Sequence, residues 1–133
     1  AVMVFRFWIS KSMRFELQRW EVVSPRLEFV VGSSSKLGSL VVGISDHAPH
    51  ERSIDLDKDM FWSSRLETTL KLNHEYGDCF LWVAIDANAR VGSEPSAFIG
   101  TCGRDTENNN GMRFMTYRQS SGLVAINTFY EAG

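Results

Sequence analysis

Phe80-Leu81-Trp82-Val83-Ala84-Ile85 is a six-residue apolar run, and it is followed at once by Asp86-Ala87-Asn88. A run of this length, rich in aromatic and branched residues, reads as a buried strand at the centre of a sheet. Its C-terminal end delivers a carboxylate and a carboxamide. At i and i+2 on extended backbone the two side chains share one side. A carboxylate there can hold a divalent cation or accept a proton, and an amide beside it can donate to a phosphate oxygen without adding repulsive charge. The plain alternative is that Asp-Ala-Asn starts a turn, as these residues often do.

On the N-terminal side of this run the period changes. Residues 55–75 space Trp62, Leu66 and Leu70 at i, i+4, i+8, which predicts a helix with these three on its core stripe. Asp57 and Asp59 suit the first turn, and Gly77 suits the stop. His74 reads as a solvated residue near the helix end. Further back, residues 1–9, 15–23, 27–31 and 37–45 read as strands. Ser24-Pro25 ends the second of them, because proline cannot donate to a ladder. The Gly32–Lys36 turn joins the third and fourth into a hairpin. On the C-terminal side, residues 89–110 form a long glycine-containing loop, of a length more often functional than not. A helix over 111–121, capped by Asn110 and closed by Gly122, follows. Residues 123–130 read as a last strand.

The order strands, helix, strand, helix, strand predicts an α/β or α+β layered domain with helices outside the sheet. The 133 residues suffice for one domain, here 1–133, and 44% hydrophobic content argues against whole-chain disorder. A formal net charge of −2 counts against a module that binds nucleic acid mainly by neutralising phosphates. It does not count against an acidic metal site. Cys79 and Cys102 lack metal-type spacing, and Cys79 reads as a small buried hydrophobe. No apolar run is long enough to span a membrane. Both ends read as cut: the chain begins with Ala1 and stops in Glu131-Ala132-Gly133, straight after a strand-like run.

Five stretches, in order, resemble one superfamily. Residues 85–92, Ile-Asp-Ala-Asn-Ala-Arg-Val-Gly, resemble a Gly-Asp-Phe-Asn-Ala-Arg/His-x-Gly segment. Residues 19–27 resemble a Trp-Glu-Pro-x-Ser-x-Arg hairpin, and Ser45–His50 an Ala-Tyr-Ala-Pro-His strand end. Residues 99–114 resemble Ile-Gly…Gly…Asn-x-Asn-Gly-x-Arg, and residues 123–130 a Leu-x-Ile-x-Asn-Thr-Phe-Phe strand. Together these resemble the endonuclease/exonuclease/phosphatase (DNase I-like) superfamily, nearest to the endonuclease domains of non-LTR retrotransposons and to craniofacial-development-type proteins.

The resemblance implies part of a two-sheet β-sandwich flanked by helices, hydrolysis of phosphodiester bonds with Mg²⁺ or Mn²⁺, and DNA as the partner. Nuclear or cytoplasmic action would follow if the retroelement reading holds. By position it implies Asp86 as the carboxylate that orients or deprotonates water and touches the metal. It implies Asn88 as the contact to the scissile phosphate. His47 falls where the family has a phosphate-touching tyrosine, and Asn110 and Arg113 fall on the substrate side. Read from the residues alone, Arg113 instead pairs with a loop carboxylate such as Asp105 or Glu107 and merely orders that loop. The family's metal-binding glutamate and terminal Ser-Asp-His have no counterparts in these 133 residues. Ser45-Asp46-His47 spells the latter but aligns with another strand. The 133-residue chain is therefore expected to be very slow or inactive, with weak metal binding. The competing expectation is a non-catalytic remnant acting as a scaffold or as a nucleic-acid- or protein-binding module.

Overall fold

The computed structural model describes residues 7–92, 94–103 and 105–131. Most of the first expected strand, residues 1–6, lies outside them, and residues 7–10 are irregular. The fold is α+β. Its chain contacts separate into two units, Ala1–Ala48 with Glu67–Asp86, and Pro49–Leu66 with Ala87–Gly133.

The first unit is built on a four-stranded mixed sheet, β1 (Phe15–Ser24), β2 (Leu27–Ser34), β3 (Ser39–His47) and β4 (Phe80–Asp86), in that spatial order. β1, β2 and β3 pair antiparallel, and β3 pairs β4 in parallel. The β2–β3 hairpin forms as the sequence predicts, but β2 runs on through Ser33 and Ser34, and the reversal falls at residues 35–38. Gly38 takes φ +63° there, a left-handed position glycine reaches without penalty. A parallel pair needs a long crossover, and helix α1 (Asp55–Tyr76) supplies it between β3 and β4. Gly77, at φ +53°, ends that helix, its N–H bonded to the Asn73 carbonyl.

Leu27, Phe29, Val31, Val42 and Ile44 point to one face of the sheet and pack with Leu72, and Tyr76, Cys79, Leu81 and Val83 close the cluster. Burial pushes the Cys79 thiol up, which suits an inert packing residue. Arg19 fastens the helix end to the sheet. Its guanidinium donates to Tyr76 Oη (3.2 Å), Glu75 (3.1 Å) and Glu21 (2.6 Å) and lies over the Phe29 ring.

Two expectations about this unit fail. β4 is an edge strand of the described sheet, not a central one, and it alternates: Leu81, Val83 and Ile85 are half-buried, whereas Phe80 and Trp82 are exposed. A short apolar run does not say which of its faces is covered. The core stripe of α1 is also different. The buried positions are Lys58, Phe61, Trp62, Arg65, Thr68, Thr69 and Leu72, while Leu66 is half-buried and Leu70 exposed. Steps of four residues drift about 40° around a 3.6-residue helix, so an i, i+4, i+8 set leaves the stripe it starts on. Polar residues occupying the buried face hid the true one.

In the second unit, the N-terminal half of α1 packs against helix α2 (Asn109–Ser121). Trp62 meets Phe114 and Tyr117 at ring separations of 5.9 Å, and Arg65 lies 3.8 Å above Tyr117. Gly122, at φ +71°, closes α2 as expected. The last expected strand does not form. Ala125 makes an isolated parallel bridge to Ile99, and Ile126–Thr128 is a 3-10 turn. Val124, Ile126, Phe129 and Tyr130 are exposed, so strand-like composition here meets no sheet among the described residues. Also among the described residues, no helix is long and apolar enough to cross a membrane.

Candidate active site

The parallel register of β3 and β4 sets His47 directly opposite Asp86. Partnered residues point to the same face, so both side chains stand together at the C-terminal end of the two strands. His47 Nδ1 lies 3.3 Å from Asp86 Oδ2. The ladder continues one step past them, with the Ala48 N–H donating to the Asp86 carbonyl at 2.8 Å. Arg26 reaches the His47 carbonyl at 3.5 Å. The Asp86 carboxylate is 63% exposed and the His47 ring 28% exposed. The pair is accessible, and its chemistry is that of a carboxylate beside an imidazole: it can hold and pass a proton, or order a water. Asp46 is buried and alternates to the opposite face from His47. Ser45-Asp46-His47 therefore does not converge as one cluster.

Asn88 is not the next same-side residue of a continuing strand. β4 ends at Asp86, and Asn88 adopts φ +45°. Asparagine tolerates this left-handed conformation better than most residues. Asn88 belongs to the second unit, where the Asn108 side chain donates to its carbonyl at 3.2 Å.

The start of α2 also differs from expectation. Asn108, not Asn110, is the N-cap, its Oδ1 accepting from the Gly111 N–H at 2.8 Å. Asn110 is inside the helix and fully buried. It accepts from Trp62 Nε1 at 3.1 Å and donates to the Pro49 carbonyl at 2.8 Å. A side chain with no exposed surface cannot touch a substrate, so Asn110 is structural here. In a run of three asparagines the cap register is ambiguous by one or two residues. Nothing in the run of asparagines itself resolves it; the close approach of the Arg90 carbonyl to Gly111 shows only in the structure.

The free N–H groups at the helix start are met by Glu51. Its carboxylate accepts from the Asn109 and Asn110 N–H groups at 3.0 Å each, where the helix dipole favours negative charge. Glu51 follows Pro49-His50 at the end of β3, and nothing in its spacing distinguishes it from an ordinary loop residue. Glu51→Ala should lower stability by about 1–2 kcal/mol, as expected for charge-assisted bonds to a helix terminus. Urea denaturation checks this, and a change below about 0.3 kcal/mol would show that the contact does not persist in solution.

Arg113 pairs with α1, not with the loop carboxylates the sequence suggested. Nε and Nη2 reach Asp59 at 2.8 and 2.7 Å, Nη2 reaches Asp55 at 3.5 Å, and Nη1 bonds Asn109. Asp105 faces Arg90 at 3.6 Å instead. Arg113, its side chain 18% exposed, is thus held by two carboxylates on the rim of a groove of about 480 Å³ lined by Trp62, Leu66, Met112 and Tyr117.

Sequence reasoning also missed Glu28, which lies in the middle of an apolar strand and is 4% exposed. One carboxylate oxygen accepts from Trp20 Nε1 at 3.1 Å and the other has no partner among the described residues. A lone acidic residue inside an apolar run was the available signal.

Among the described residues, no three His, Cys, Asp or Glu side chains converge as metal ligands. Asp86 supplies one oxygen, and its neighbour His47 offers nitrogen, a poor ligand for a hard cation. These residues do not by themselves make a Mg²⁺ site. No protein-family model and no curated protein matches the chain.

Proposed function

We propose that the chain is the central part of a DNase I-like phosphodiesterase domain, of the kind found in retroelement DNA endonucleases, with Asp86 and His47 as its reactive pair and Asn88 given a phosphate contact by the resemblance alone. The observation that carries the reading is the His47–Asp86 pair, exposed at the C-terminal end of adjacent parallel strands, where the resemblance requires a water-handling aspartate and its phosphate-side neighbour. In this reading Asp86 orders the attacking water and accepts its proton. His47 stands beside it as a donor toward the phosphate. Asn88 donates its amide to a non-bridging phosphate oxygen. The face of the sheet opposite α1 exposes Trp20, Phe80 and Trp82, with Phe80 and Trp82 stacked 6.4 Å apart, which suits a second sheet of a sandwich.

Mg²⁺ or Mn²⁺ in such enzymes stabilises charge on the phosphate oxygens. Because no second carboxylate joins Asp86 and His47 in a metal-binding group among the described residues, metal affinity should be weak, with a dissociation constant of about millimolar or weaker. Calorimetric titration of the chain with MgCl₂ checks this; sub-micromolar affinity would reveal a ligand set beyond Asp86.

A second reading, a non-catalytic remnant of the same fold, is favoured by a separate observation. The helix terminus that would meet an anion is filled by Glu51, and Arg113 is neutralised by Asp55 and Asp59. Plasmid nicking in Mg²⁺ separates the two. The assay uses the 133-residue chain and a form that carries the flanking sequence of its reading frame. Asp86-dependent nicking supports the enzyme, and an inactive flanked form supports the remnant.

A further inference from the structure

We infer that Asn108 is a positioning residue for Asn88, holding the segment 88–90 against the start of α2 through its side-chain amide. The inference rests on the phosphodiesterase reading only for the role it gives Asn88. Asn108 is separated from the segment by 18 to 20 residues, yet its side chain makes three bonds that join the two places. Nδ2 donates to the Asn88 carbonyl at 3.2 Å, Oδ1 accepts from the Arg90 N–H at 2.9 Å, and the same oxygen accepts from the Gly111 N–H at 2.8 Å. The Asn108 backbone N–H adds a fourth, to the Arg90 carbonyl at 3.2 Å.

This is more than a helix cap. A cap needs only an acceptor, which Ser, Thr or Asp supplies equally well. The bond to the Asn88 carbonyl needs a donor on the same side chain: Asp has none, Ser and Thr carry donor and acceptor on one short hydroxyl, and asparagine carries them on two separate atoms. The donor meets the segment at Asn88, whose left-handed backbone is the least favourable in it. Gly111 completes the seat, since a Cβ at that position would lie 1.9 Å from the Arg90 carbonyl oxygen. The amide of Asn108 thus sets where the Asn88 side chain is presented, which in the proposed chemistry is the contact to phosphate. Asn108 touches no reacting atom and acts only through Asn88.

The test uses the ¹⁵N-labelled 133-residue chain as wild type, Asn108→Ala and Asn108→Asp, followed by amide hydrogen exchange and by titration with a short DNA duplex in MgCl₂. Asn108→Ala removes both ends of the link, and exchange at Arg90 should rise roughly tenfold, the size of one net hydrogen bond. Asn108→Asp keeps the acceptor, so Arg90 and Gly111 stay protected. It loses the donor, so the Asn88 side-chain signals should shift, and their response to DNA should fall several-fold. Should the alanine variant lose protection throughout residues 81–85, its fold has failed and the aspartate variant decides. Variants that leave the Arg90 exchange and the Asn88 signals at their wild-type values would overturn the inference. A wild-type Asn88 that ignores DNA would instead sink the phosphodiesterase reading, and the exchange contrast would still decide the role of Asn108.

Discussion

Asp86→Ala should reduce Mg²⁺-dependent nicking of supercoiled plasmid by about 10²–10⁴-fold in a form of the domain that carries its flanking sequence, the range expected for loss of a positioned proton acceptor. The fold should not account for that loss. Asp86 ends an edge strand and its carboxylate is 63% exposed, so truncation leaves no cavity and should move stability by no more than about 0.5 kcal/mol. What disappears is the charge beside His47, 3.3 Å away, and with it the group that would hold and deprotonate the attacking water. The 133-residue chain alone is expected to stay at background with either residue at position 86, because the resemblance assigns a metal-binding glutamate and a terminal histidine that these residues do not include. Strong Asp86-dependent nicking by the 133-residue chain would contradict this. A flanked form that never nicks would favour the remnant reading.

The strands and helices with regular periods were legible. β1 to β4 and both helices lie within a few residues of where alternation, apolar runs and glycine stops put them. That His47 stands beside Asp86 was legible only through the resemblance, which assigns both to one site; no spacing in the sequence sets the parallel register that pairs them. What could not be read is which face of an element is covered. Phe80 and Trp82 belong to the same apolar run as Leu81 and Val83, yet are exposed. Arg65, Thr68 and Thr69 look like a solvated helix face and are buried. Residues 123–130 have strand composition and, among the described residues, no sheet partner beyond one bridge, since strand propensity is realised only where a ladder exists. At the site, residue type placed a helix start near Asn110. It did not show that Glu51, from 58 residues earlier, already sits there. Nor did it show that Asn110 faces Trp62 and Pro49, not solvent. Both facts depend on long-range approach, which local pattern does not encode.

The largest effect on stability should come from Gly111→Ala. In an exposed helix interior this change is favourable by about 1 kcal/mol, because alanine loses less backbone entropy than glycine. Position 111 is buried in the first turn of α2, and here a different term decides. An added Cβ would stand 1.9 Å from the Arg90 carbonyl oxygen and 2.9 Å from its carbon, with Asn108 Oδ1 at 3.1 Å. Two of those atoms are backbone, held by the Asn108 N–H and side chain, and cannot rotate away as a flexible side chain would. Either the segment 88–90 leaves its seat or the first turn of α2 unwinds, and each route breaks the bonds made by Asn108. A loss of about 3 kcal/mol is expected, at the upper end for overpacking at a tight site. Urea denaturation followed by circular dichroism measures it, and Gln119→Ala, an exposed substitution on the same helix, should stay within about 0.5 kcal/mol. If Gly111→Ala were neutral or stabilising, residues 88–90 would not be seated on α2 in solution. Asn108 would then have nothing to position, and the presentation of Asn88 would need another explanation.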